Sequence, residues 1–264
     1  MTATRPEPNV DVPAELALLA VDMEKYSKMP EAGMDAVRCD VDDILDTVLA
    51  DCRLPSLDDL EGYKDSGDGA FLLFPFTVLA RLVDPLLSRL AEALRRYHRE
   101  QLTDSPLVRL RVSIHAGPLS LPRHRGDAIN DTARLLNSEA ARQALAAATD
   151  NGGFLAAVIS ELAYDYTVQA GRTPDLSEHH FLKTHATVAN KPGYQAPCRV
   201  HVPNLSGSAL HAYLTDTTAT APAHAPASAG TATAPSAGGT FHFHKELHDP
   251  TIANTIEHLD RRRY

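Results

Sequence analysis

The chain has no tryptophan, three cysteines and few aromatic residues of any kind. Cys39, Cys52 and Cys198 are odd in number and widely spaced, so neither a disulfide framework nor a CxxC metal motif is present. That usage fits a reducing cytoplasm, where we expect the protein. No apolar run reaches the roughly 18 to 20 residues that span a bilayer, and the opening MTATRPEPNVDVP lacks the apolar centre of a signal peptide. Basic residues are also short: 25 Lys and Arg face 34 Asp and Glu, for a net charge of -9. A general nucleic-acid binder is thereby disfavoured, although a local basic pocket for one nucleotide is not. No GxGxxG follows the first apolar strand, which argues against a dinucleotide-binding fold. No internal repeat is visible, so any symmetric site must be built from two chains.

What the sequence does have is a core. Its 264 residues are 44% hydrophobic, enough for one domain of about 200 residues. We expect a loose arm over 1–13, a folded domain over 14–205, a linker over 206–239 and a short interaction segment over 240–264. The linker is read from composition: from Thr215 to Gly239 every residue except Asp216 and His224 is Ala, Thr, Pro, Gly or Ser. Within the domain, the run Leu16 to Val21 reads as a buried strand ending at Asp22. Apolar residues from Asp35 to Cys52 and from Leu79 to Glu100 recur at helical spacing. Leu60 to Tyr63 and Ala70 to Phe74 flank a glycine-rich turn and predict a hairpin. Val108 to Ala116 alternates as a strand, and Asp127 to Ala148 reads as a helix. A strand over Phe154 to Ile159, a short helix over Glu161 to Ala170, and strands near His180 to Ala189 and Ala196 to Val202 complete the series. The order predicts an α+β fold: a ferredoxin-like βαββαβ core, mostly antiparallel, with helices on one face.

Four segments carry candidate chemistry. Asp22 ends the first strand, and Asp68 sits at the hairpin tip in YKDSGDGAF. Two carboxylates at adjacent strand ends, with the Met23 carbonyl, suit hard divalent cations, which prefer oxygen ligands. Asn130 and Arg134 lie four apart in GDAINDTARLL and share a helix face. Arg134 offers a planar fork suited to a phosphoryl transition state. Lys191, in TVANKPGY, can reach a triphosphate. Singly, each piece is more often a turn, a cap or a solvated side chain. In the tail, His242, His244 and His248 lack a cysteine to complete a zinc set, though His258 or Asp249 could complete it; the segment reads instead as a polar binding segment, with a protein as its partner, or as compositional bias.

Taken together, these segments resemble the class III adenylate and guanylate cyclases. Asp22 to Ser27 resembles the first metal motif of that family, Lys64 to Asp68 its Lys-x-x-Gly-Asp hairpin, LRVSIHAGPL its Arg-x-Gly-Ile-His-x-Gly strand, and Gly126 to Asn130 with Arg134 its Gly-Asp-x-Val-Asn-x-x-x-Arg helix start. The resemblance covers about residues 14–203. It implies a head-to-tail homodimer that closes a nucleoside triphosphate into a 3′,5′-cyclic nucleotide and releases pyrophosphate. Asp22, Asp68 and Met23 of one chain would hold two Mg2+ or Mn2+ ions. Asn130 and Arg134 of the other would meet ribose and phosphates, with Lys64, Tyr26, Ser27 and Lys191 contacting substrate. Two departures stand out. The family's Gly-Phe after the first Asp is Lys25-Tyr26 here, and the purine-reading Asp or Cys before the third motif is replaced near Arg123. The base is therefore open, and a pyrimidine cyclase of the kind used in bacterial antiphage signalling is one branch to consider. The alternative is an inactive cyclase-fold module that binds a nucleotide or dimerises and recruits a partner through its tail. A diguanylate cyclase is disfavoured by the absence of a GGDEF-type hairpin.

Overall fold

The structure is a computed structural model that describes residues 12–60, 62, 64–65, 67–101, 106–120 and 124–214. The first eleven residues and everything after 214 lie outside that range, as do most of the expected linker and the whole interaction segment.

Strand β1 (Glu15–Met23) leads through a single 3-10 turn into α1 (Glu31–Asp51). The hairpin β2 (Lys64–Asp65) and β3 (Gly69–Pro75) follows, then α2 (Leu79–Val83), α3 (Leu86–Glu100) and β4 (Leu110–Pro118). Next come α4 (Asp127–Leu136), α5 (Glu139–Asp150), β5 (Leu155–Ser160), α6 (Glu161–Tyr164), β6 (Phe181–Thr187), β7 (Gln195–His201) and a last turn, α7 (Gly207–Leu210). One sheet holds all seven strands in the order β2-β3-β1-β4-β5-β7-β6. Only β4–β5 is parallel; every other neighbouring pair is antiparallel. The first four strands thus have the expected ferredoxin-like βαββαβ connectivity, and the α+β class holds.

The helices divide between the two faces of the sheet instead of gathering on one. Ala17, Leu19 and Val21 of β1 and Leu155, Ala157 and Ile159 of β5 pack in one cluster with leucines of α1, α2 and α3. The alternate residues point the other way: Ala156 and Val158 pack against the α5 alanines, and Leu18 packs beside Ala128 of α4. The period of two along a strand makes this division visible. The strands are apolar on both sides, so both sides need cover.

Three elements differ from their expected bounds. The helix expected over Leu79 to Glu100 breaks at Asp84-Pro85, because proline has no N–H and pushes the preceding residue towards extended backbone. Asp84 is extended, with φ -140° and ψ 117°, and its buried carboxylate accepts from the Asp175 amide at 2.6 Å and the Leu176 amide at 3.3 Å. The helix expected over Asp127 to Ala148 breaks at Asn137-Ser138. Ser138 is an N-cap whose Oγ accepts from the Ala141 amide at 3.1 Å, so a second helix starts there. Finally, Leu57 and Leu60 join the core from a loop, and strand pairing begins only at Lys64, opposite Phe71. At the other end, packing runs past 205, since Leu210 and Leu214 are buried.

Candidate active site

Asp22 is the penultimate residue of β1 and pairs in register with Gly69 of β3 and Arg111 of β4. The hairpin tip brings Asp68 alongside: the Met23 amide donates to the Asp68 carbonyl at 2.8 Å. Two glycines make this approach feasible. Gly67 takes φ +86°, and a Cβ at Gly69 would collide with the Val21 carbonyl. The two acidic residues therefore meet at one strand end, with Asp68 exposed and the Asp22 side chain 13% exposed.

Arg111 was not singled out as a site residue from the sequence, although it lies in the strand that carries the resemblance. Its Nε donates to Asp22 Oδ2 at 2.9 Å, and its Nη2 contacts the same oxygen. Burial raises the Asp22 carboxyl above the ordinary carboxylate range. Arg111 opposes that shift, the Asp68 charge adds to it, and Arg142 of α5 opposes it weakly. A partly desolvated carboxylate with a second acid beside it is a donor set that suits a hard divalent cation, whose charge would relieve the repulsion. The described guanidinium contacts engage Oδ2 alone. Among the described residues no group of three or more His, Cys, Asp or Glu forms a larger metal cluster, so any cation here would rest on these two acids, backbone oxygen and substrate.

The chain after Met23 turns sharply. Lys25 takes φ 62°, the left-handed region, where a side chain costs of order 1 kcal/mol. This is the position at which the resembled motif carries glycine. Lys25 pairs with Glu24 at 3.1 Å, and Glu24 also faces Arg109 at 3.7 Å. Ser27 is exposed. Tyr26, expected near substrate, packs on the core and donates its hydroxyl to the Met34 carbonyl at 3.2 Å, so that hydroxyl is turned towards α1. Lys64 lies in β2, and its side chain is outside the described residues.

Helix α4 covers the face of the sheet to which Asp22 belongs. In register, Asp22, Ala20 and Leu18 oppose Arg111, Ser113 and His115, and Ser113 Oγ donates to the Thr132 carbonyl of α4 at 2.9 Å. A half-buried His115 stands beneath the helix, its pKa lowered by burial and raised in part by Asp131. Asn130 is exposed on α4. Arg134, one turn on, donates from Nη1 to Asp131 Oδ1 at 2.8 Å and lies 5.1 Å from the Tyr194 ring centroid. Asp131 and Tyr194 were also missed. Asp131 is legible in hindsight as an i,i+3 partner, whereas Tyr194 comes from the loop between β6 and β7 and gives no local signal. Lys191 is exposed in that same loop, its carbonyl accepting from the Tyr194 amide at 3.0 Å. The structure thus joins Asp22 with Asp68, and Arg134 with the Lys191 loop, as two groups of one chain.

Among the described residues no helix is long and apolar enough to cross a membrane. No protein-family model matches the chain, and no curated protein matches it. Among solved structures it is similar to an adenylate/guanylate cyclase/hydrolase from Silicibacter pomeroyi, at 19% identity and a TM-score of 0.47, over 72% of this chain and 98% of that one. It is also similar to a bacterial light-regulated adenylyl cyclase, at 13% identity and a TM-score of 0.48, over 76% of this chain and 98% of the other. A third is the guanylate cyclase domain of RhGC from Catenaria anguillulae, solved in complex with GTP, at 11% identity and a TM-score of 0.44, over 73% and 98%.

Proposed function

We propose that the protein is a nucleotide cyclase that converts a nucleoside triphosphate to a 3′,5′-cyclic nucleotide and pyrophosphate. The observation that carries this reading is the convergence of Asp22 and Asp68 at one strand end, on a sheet whose Asp22 face is covered by the helix bearing Asn130 and Arg134. Asp22, Asp68 and the Met23 carbonyl would hold Mg2+ or Mn2+, two ions per site. When bound, such ions lower the pKa of a hydroxyl and neutralise phosphate charge. Asn130 orients the ribose. The 3′-hydroxyl gives its proton to water as its oxygen forms a new bond to the α-phosphorus, the bond to the β-phosphate bridging oxygen breaks, and pyrophosphate departs with that electron pair. Arg134 donates to the phosphoryl oxygens, where charge spreads in the transition state, and Lys191 and Lys64 meet the outer phosphates and the base.

The site is composite in this reading. In one chain the Arg134 guanidinium is held by Asp131 and Tyr194, and a head-to-tail homodimer would present it to the partner's carboxylates. Mixing Asp22→Ala and Arg134→Ala chains tests this. Each alone keeps only a small residual rate, and the mixture recovers about a quarter of wild-type pyrophosphate release, since half the dimers are mixed and each has one intact site. A mixture no faster than its parents would rule out the composite site.

A second reading, a cyclase-fold module that binds nucleotide without turnover, is favoured by one observation: Arg111 already holds Asp22. Nucleotide binding with no pyrophosphate from wild-type protein would select it. Whether the base is a pyrimidine, as in the antiphage branch, is decided by which triphosphate is consumed. The tail, 240–264, is proposed to recruit a protein partner.

A further inference from the structure

Arg134 would donate to the phosphoryl oxygens in the proposed chemistry, and its side chain is held from several sides. The Tyr194 ring lies 5.1 Å from its guanidinium carbon. Asp131 takes one Nη1 hydrogen at 2.8 Å. The Nε atom is buried with no hydrogen-bond partner in the described structure, while the side chain as a whole keeps 31% of its exposure. The ring is itself anchored. Tyr194 is half-buried and packs against the cluster of α5, β5 and β7 side chains. Its amide donates to the Lys191 carbonyl at 3.0 Å, and the Lys191 amide donates to the Val188 carbonyl at 2.9 Å, so two successive turns fix the loop.

Resting on the cyclase reading, we infer that Tyr194 is a positioning residue: its aromatic face holds the Arg134 guanidinium so that the N–H edge not used by Asp131 is presented to the phosphates of a nucleoside triphosphate. The chemistry favours this division of labour. A guanidinium over a ring is attracted through its face, which leaves its in-plane donors for an anion. A long side chain that is already ordered loses less freedom when it meets the transition state. Asp131 alone does not give this, because a single i,i+3 contact at a half-buried helix surface is weak.

The test uses full-length protein with Tyr194→Phe, Tyr194→Leu, Arg134→Ala and the Leu/Ala double variant. Leucine keeps the apolar packing but removes the aromatic face, and thermal melts check that each variant folds. The expected result is that Tyr194→Phe stays within about twofold of wild-type kcat, while Tyr194→Leu loses about tenfold, the range of a partly desolvated cation–π contact. In the Arg134→Ala background the leucine change costs nothing further. Wild-type kcat in Tyr194→Leu, an equal loss in Tyr194→Phe, or a full second loss in the double variant would each overturn the inference. If wild-type protein turns over no triphosphate, the cyclase reading fails, and the inference is judged by calorimetry with inorganic tripolyphosphate. Arg134→Ala and Tyr194→Leu then weaken binding by a similar factor and Tyr194→Phe does not; equal affinity in all four proteins refutes it.

Discussion

Two arginine–carboxylate pairs cross neighbouring strands or strand ends of the same sheet, and they differ in every respect that matters for function. Beside β7, Arg199 donates from Nε to Glu161 Oε2 at 3.1 Å and from Nη2 to Oε1 at 2.9 Å. Lys183 adds a contact at 3.3 Å, and the Tyr164 ring lies 4.2 Å from the guanidinium carbon. Both carboxylate oxygens are used, and these partners outweigh burial to lower the Glu161 pKa. At the end of β1, Arg111 places two nitrogens on one oxygen of Asp22, Asp68 stands alongside, and the Asp22 pKa is raised with burial as the main cause. A fork that satisfies both oxygens is a structural clamp. A carboxylate held by one oxygen beside a second acid is left with capacity for another cation. The lesson is that closure of the pair, more than burial, separates a support from a site.

Several changes would break or sharpen that contrast. The largest effect is expected from Asp22→Asn, which should lower turnover by about 10³-fold, measured as pyrophosphate release, while Glu161→Gln leaves kcat per folded molecule unchanged.

Next comes acid pH on the β6–β7 side. His201 is buried, donates to the His180 carbonyl across 3.0 Å, and has its pKa lowered by burial to about 4 from 6.5. A neutral imidazole is what the fold prefers. Its stabilisation is therefore complete above pH 6.5 and is lost as pH falls towards about 4, amounting to about 3 kcal/mol. Denaturant melts across that window should show the loss, and His201→Phe should remove this share of the pH dependence.

Smaller again is Glu161→Gln itself. Leaving Arg199 half-paired should cost about 1–2 kcal/mol, because the site is only partly exposed, and this reads as a fall in melting temperature. The finest test is Asp131→Asn, where loss of a half-buried i,i+3 pair should change stability by about 0.5 kcal/mol or less. A drop several times larger would make Asp131 part of the core support.

How much of this was legible in the sequence depends on whether the signal is local. The apolar run ending at Asp22, the glycines around Asp68 and the four-residue spacing of Asn130 and Arg134 are short-range patterns, and the βαββαβ succession of elements was read from patterns of the same kind. The helix breaks at Pro85 and Ser138 were also local, yet long apolar periodicity overrode a proline and a cap that both marked a boundary. Helices on the second face were hidden because strands such as β5 are apolar on both sides and carry no alternation to read. Arg111 and Tyr194 reach the site only through strand register and a distant loop, and no spacing along the chain encodes either contact. Tyr26 shows the converse: it sits beside the key acid in sequence, but its hydroxyl is bonded to the Met34 carbonyl.

The central claim is that these two carboxylates and the arginine of α4 perform cyclisation. It is tested most directly by incubating full-length protein with each of the four ribonucleoside triphosphates and Mn2+, and identifying products by mass spectrometry. Wild-type protein should give a 3′,5′-cyclic nucleotide with stoichiometric pyrophosphate from at least one triphosphate, and Asp22→Asn and Asp68→Asn should each give about 10³-fold less of both. No cyclic product from any triphosphate, or the same yield from both variants, would contradict it.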